Sequence, residues 1–213
     1  DKMNETPVTQ MIENTTYDEI SIGQVARMAR QLTIADIQAF AAVSGDINPA
    51  HLDADYANDT VFHGVIAHGM WSGALISALL GTEFPGPGTI YVNQDLHFIR
   101  PVRIGDTLTV TVKVMAKDDI KKRLTLDCEV INQHGEKVVT GTAIVMAPTQ
   151  KVKRPRSIAP HIQLFNPEVR FNALLALGKG LDPVRCAVVH PCDKESLGGA
   201  LDATRYNLII PVL

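Results

Sequence analysis

The sequence predicts an α+β fold in which an antiparallel sheet curls around one long apolar helix, with a partial α/β segment at the C-terminal end. Three observations carry this prediction. Four stretches between residues 89 and 146 alternate apolar and polar side chains, which marks strands with one face buried. The stretch 68–80 (HGMWSGALISALL) is apolar nearly all round, and a helix without a polar face requires cover on every side. A proline-rich basic run, 147–160 (APTQKVKRPRSIAP), separates this part from a differently patterned tail.

Ile34 to Ser44 has apolar residues at helical spacing, with Thr33 as N-cap and Gly45 as terminator. Ala54 to Asn58 reads as a single helical turn. In the strand Thr89–Phe98, Ile90, Val92, Leu96 and Phe98 share a face. In Thr107–Met115 that face holds Leu108, Val110, Val112 and Val114, and in Leu124–Ile131 it holds Leu124, Leu126, Cys128 and Val130. Asn132 to Gly135 reads as a hairpin turn into the strand Lys137–Met146. A sheet with one apolar face and a helix with no polar one solve each other's burial by wrapping. Pairing two such sheets edge to edge in a dimer would hide the remaining edge.

These readings divide the chain into 1–147, a linker at 148–160 and a segment at 161–213. The linker carries Lys151, Lys153, Arg154 and Arg156 and no acid, so an extended, solvated connection is expected. In the last segment, Asn166 to Gly178 has an amphipathic helix pattern with Asn166 as cap. Cys186 to His190 is a short apolar run, Lys194 to Ala203 is a second helix with Asp193 as cap, and Leu208 to Leu213 is another apolar run. Helix, strand, helix, strand implies the start of a parallel α/β arrangement, too small to close a core alone.

Composition removes several functional classes. Lys plus Arg number 20 against 23 Asp plus Glu, a net charge of −3, and aromatics are 5%, so no nucleic acid partner is expected. No apolar run approaches the ~18 residues of a membrane span. Three cysteines without a metal-like pair suggest reduced thiols and a cytoplasmic protein. His63 and His68 lack an acid or thiolate at ligand spacing, so no metal site is expected. Cys192 beside His190 lacks an orienting third group.

The chemistry concentrates in Phe40 to His51 (FAAVSGDINPAH) and at the start of the apolar helix. Asp46 and His51 are separated by a turned connection containing Asn48 and Pro49, and a carboxylate and an imidazole in one small volume suit activation of water. Alternatively, Asp46 bonds its own loop amides and His51 is a surface residue. The amide of Gly69 sits at a helix N-terminus, where unpaired N–H groups and the positive helix end suit an oxyanion. Alternatively, Gly69 permits close packing of helix on sheet.

FAAVSGDINPAH, HGMWSGALIS and FIRPVRIGDTLTV, in this order and spacing, resemble the MaoC-like, (R)-specific enoyl-CoA hydratase family over residues 17–147. The resemblance implies the hot-dog fold and hydration of trans-2-enoyl-CoA thioesters. It makes Asp46 and His51 the catalytic pair holding a water against the β-carbon, with the Gly69 amide on the thioester oxygen. Asn48 would shape the loop, Ser77 would line the acyl pocket, and Arg103, with Arg100 or linker lysines, would meet the coenzyme A phosphates. Coenzyme A enters only as part of the substrate, so no cofactor is expected, and the family's dimer interface implies a homodimer or larger homo-oligomer. A hot-dog thioesterase and a non-catalytic acyl-CoA-binding module are the alternatives. Residues 170–213 resemble the opening of phosphate acetyl/butyryltransferases, as in bifunctional hydratase/phosphate acetyltransferase chains. The resemblance stops short of most of that family's binding residues, so no transferase site or activity is expected of this segment.

Overall fold

A computed structural model describes residues 10–159, 167–189 and 194–212. The chain divides into two units, Asp1–Ile162 and Gln163–Leu213. The elements of the first unit are β1 (Met11–Glu13), β2 (Val25–Gln31), α1 (Ile34–Ser44), α2 (Pro49–Leu52), α3 (Ala54–Asp59) and α4 (Gly69–Ala78), then β3 (Ile90–Phe98), β4 (Thr107–Asp118), β5 (Arg123–Ile131), β6 (Lys137–Met146) and β7 (Lys153–Pro155).

The main sheet is antiparallel throughout, with strand order β2-β4-β5-β6-β3. Its inner face is the one the alternation predicts in β4 and β5. Leu108, Val110, Val112, Val114, Leu124, Leu126, Cys128 and Val130 are all buried, and they form one core with Trp71, Leu75 and Ile76 of α4 and with Leu79 and Leu80 of the turn that continues it, Leu79–Glu83. Close approach of β3 to β6 requires glycine at 141, where a Cβ would fall on the Asp95 carbonyl. Helix α4 presses as closely on β3, since a Cβ on Gly73 would lie 3.1 Å from Leu96 Cδ1. Helix α1 begins with a reciprocal capping box between Thr33 and Asp36 and ends at Gly45 in the left-handed conformation.

Four features differ from expectation. Strand β2 (VARMARQ) was not legible, because its inward positions are the small or half-buried Ala26 and Met28. The edge strand β3 is not buried on its apolar face. A bulge interrupts its register between Tyr91 and Asn93, and Ile90, Val92 and Phe98 are exposed. Helix α4 is likewise covered on only part of its circumference. Met70, Ala74 and Ser77, spaced to share a flank, are exposed. Finally, the basic run is exposed and extended, as expected, but it is not a free connection. Strand β7 pairs with β1, and the buried Asn14 side chain binds Gln150 O and Val152 N. Lys151 and Arg156 meet Glu19 and Glu83. The basic run neutralises acids of its own unit.

The second unit contains α5 (Pro167–Gly178), β8 (Val184–Ala187), α6 (Lys194–Arg205) and β9 (Ile209–Val212). Strands β8 and β9 pair in parallel across α6. None of its residues with a described side chain is buried, as expected for a piece too small to close a core. The caps Asn166 and Asp193, and Cys192 with His190, lie outside the described residues. Among the described residues no helix is long and apolar enough to cross a membrane.

Candidate active site

The connection after α1 is built by short-range side-chain bonds. Ser44 Oγ accepts from the Asp46 N–H (3.1 Å), Asp46 Oδ1 from the Asn48 N–H (3.2 Å) and Asn48 Oδ1 from the Ala50 N–H (3.0 Å). Asn48 thereby caps α2, and Pro49 occupies its first position, where a missing N–H is harmless. This turn aims His51 inward while Asp46 remains exposed. Asp46 does bond a loop amide, yet its carboxylate still faces the histidine.

His51 Nδ1 lies 2.8 Å from the carbonyl oxygen of Ile66. A carbonyl only accepts, so neutral His51 carries its proton on Nδ1 and presents a lone pair at Nε2. The imidazole of His68, at the N-cap of α4, stacks on His51 with ring centroids 3.9 Å apart and planes tilted by 34°. His68 Nε2 lies 2.9 Å from the main-chain oxygen of Asp46. By the same logic it donates there, and its buried Nδ1 has no partner among the described residues.

One ligand atom each from Asp46, His51 and His68 lie within 4.8 Å of one another. Two groups that share a water through ordinary hydrogen bonds stand about 4.5 Å apart, so the cluster fits one bound water. It suits a metal less well. Stacked rings direct their in-plane lone pairs alongside each other, whereas a four-coordinate ion needs convergence on one point. His63, paired with His68 in the sequence reading, is exposed, and its ring lies 3.4 Å from the nearby Asn58 main-chain oxygen.

Beside the histidines opens a cavity of about 290 Å³. Its walls are mostly apolar, from Phe62, Ile66, Phe98, Val102, Val138 and Val139, and Gly69 and Ser72 lie on the α4 side. Gly69 is the first residue of α4, where N–H groups have no partner within the helix and His68 supplies no side-chain cap. A Cβ on Gly69 would lie 3.2 Å from the Phe98 ring, so its bareness also serves packing.

The structure thus brings Asp46, His51 and Gly69 to one place, with Asn48 shaping the turn. Ser77 lies outside the cavity, on the exposed flank of α4, and the serine inside is Ser72. The Arg103 guanidinium clasps the Phe62 carbonyl, beside Gly64, and so holds a cavity wall. Arg100 lines the cavity and donates to Lys137 O (2.9 Å). Sequence reasoning missed His68 and Ser72. The available signals were the position of His68 directly before Gly69, and of Ser72 one turn after it.

Comparison with known proteins bears on the family and the fold. The (R)-specific enoyl-CoA hydratase of Rhodospirillum rubrum is 49% identical over 136 residues, covering 63% of this chain and 92% of the relative. The solved structure of the R-hydratase PhaJ1 from Pseudomonas aeruginosa, unliganded, superposes with a TM-score of 0.70 at 47% identity, covering 73% of this chain and all of that one. A shorter similarity, 56% identity over 43 residues, links 20% of this chain to 12% of the phosphate acetyltransferase of Rickettsia typhi. The profile of the MaoC like domain matches residues 18–136, more than half of the chain, and with the antiparallel sheet wrapped around α4 it shows that this chain belongs to the MaoC-like family.

Proposed function

We propose that the chain adds water across the double bond of trans-2-enoyl-CoA thioesters to give (R)-3-hydroxyacyl-CoA. The observation that carries this is the meeting of Asp46 and His51 beside an apolar cavity lined by His51 and Gly69. The enoyl chain lies in that cavity with its thioester oxygen on the Gly69 N–H. A water held between Asp46 and His51 attacks the β-carbon, and the Nε2 lone pair of His51 is placed to take its proton. Electron density moves through the double bond onto the thioester oxygen, where the amide and the helix end stabilise it. The pair then returns one proton to the α-carbon. One water is consumed, and both side chains end as they began.

The reaction needs no cofactor beyond the coenzyme A carried by the substrate. Arg103 holds the Phe62 wall, and we assign it and the neighbouring Arg100 to the side from which the nucleotide enters. Ser77 contacts an acyl chain or a second subunit laid along the open flank of α4. Helix α4 and strand β3 are neighbours in the fold, so the open flank of one and the exposed apolar edge of the other lie close together, which supports a homodimer. Cys128 and Cys186 are free thiols, which fits a reducing cytoplasm.

The test is hydration of crotonyl-CoA with chiral analysis of the product, beside the Asp46→Asn variant. The expected result is (R)-3-hydroxybutyryl-CoA from the parent and a loss of about 10²–10⁴-fold in the variant, the range for a positioned acid–base group. Parental turnover by the variant, or release of free thiol instead of hydration, would refute the reading.

A further inference from the structure

We propose that His68 is a positioning residue for the acid–base pair, holding the Asp46 main chain through Nε2 while its ring backs the face of His51. The proposal rests on the hydratase reading for its kinetic consequence, but its structural content stands separately. Among the described residues, the hydrogen bonds made by 45–48 stay within a few positions of their own turn, from Ala41 to His51, with one exception. The exception is His68 Nε2 to Asp46 O, which spans 22 positions of sequence. An exposed turn would otherwise hang on its own local bonds, and such segments open readily. His68 is 2% exposed and stands at the head of the buried helix. It therefore transfers the rigidity of the core to the residue that carries the carboxylate.

The same ring touches the second member of the pair. His51 is held at Nδ1 by Ile66 O and flanked by His68 on one ring face, while Phe40 stands 5.0 Å from His68. The stack Phe40, His68, His51 fixes the plane in which the His51 Nε2 lone pair points. Displacement of a reacting group by about 1 Å costs on the order of 10²-fold in rate. A residue that orients both members of the pair without touching substrate should therefore act on kcat and leave KM nearly unchanged.

Two variants separate donor from ring. His68→Phe keeps an aromatic ring against His51 but cannot donate to Asp46 O. His68→Gln keeps an N–H at the reach of Nε2 without the ring. With crotonyl-CoA, the Phe variant should lose about 10²-fold in kcat with KM within about threefold, and the Gln variant should recover at least tenfold of that loss. Equal kcat in parent and Phe variant overturns the proposal, as does an equal loss in both variants or a loss confined to KM. If the Phe variant does not fold, His68→Leu, which removes donor and ring together, takes its place, and parental kcat in it overturns the proposal.

Imidazole and backbone nitrogen NMR provides a readout independent of turnover. Parent spectra should show His68 as the Nε2–H tautomer and His51 as the Nδ1–H tautomer. The substitutions should shift amide signals of residues 45–48 and leave β4 and β5 in place. Unmoved signals at 45–48 refute the positioning role whether or not the parent hydrates enoyl thioesters. A parent without hydratase activity but with these shifts refutes only the functional reading.

Discussion

At the scale of single residues, the site shows what a short motif specifies. The turn Asp46, Asn48, Pro49, His51 can be read from sequence because each of its bonds spans two or three positions. The role of Gly69 is open to a clean test, since proline is tolerated at the first position of a helix. His68, which would precede that proline, already has the extended conformation required there (φ −58°, ψ 133°). Gly69→Pro therefore removes the N–H without breaking α4, at the cost of some pressure on Phe98. The expected outcome is a folded protein by circular dichroism with hydration lowered about 10²–10³-fold, the loss typical of one oxyanion donor. A variant with full activity would mean that Gly69 serves packing alone.

Elements with a strong local period were legible. Helix α1 was readable from Thr33 to Gly45, and the buried faces of β4 and β5 from their strict alternation. Strands β1, β2 and β7 were not, because their sequences carry charge or small side chains and acquire strand geometry only from a partner. The carboxyls bound by Lys151 and Lys153 beside the β1–β7 ribbon give a prediction in acid. The Thr16 N–H, and after it Lys151, hold the Glu19 carboxyl down at about 2, and Lys151 and Lys153 hold Glu13 below its ordinary range. Both carboxyls lie lower in the folded chain than in the unfolded one. Their contribution is therefore present above the ordinary value of 4.5 and falls away as the pH drops towards 2. Carboxyl-carbon NMR should show Glu19 titrating near 2. Lys151→Ala should move it only part of the way up, because the Thr16 N–H remains. A titration near 4.5 in the parent would refute the hydrogen bond from the Thr16 N–H to Glu19.

On the scale of the whole molecule, the open flank of α4 and the exposed edge β3 are what a single copy leaves uncovered. A long apolar edge is a template for pairing, and a second copy supplies a self-complementary one. Sedimentation should give twice the 23.2 kDa chain mass. Ile90→Lys, which places a charge on that edge, should shift the equilibrium towards monomer at micromolar concentration. A monomeric parent would refute the dimer and leave Ser77 without a partner surface.

The helix–sheet architecture, the Asp46–His51 turn, the helix N-terminus at Gly69 and the change of character in the C-terminal segment are legible in the residues alone. These depend on periodicity, caps and bonds between near neighbours, all of which are local. Packing of distant segments is what brings His68 to Asp46 and His51, Ser72 rather than Ser77 into the cavity, Arg103 onto Phe62, and the basic run back onto Glu13, Glu19 and Glu83. Each of these contacts joins residues whose separation along the chain carries no signal of their meeting. A histidine, a serine or a lysine has several possible partners, and packing of the elements selects one by placing a donor and an acceptor within 3 Å of each other.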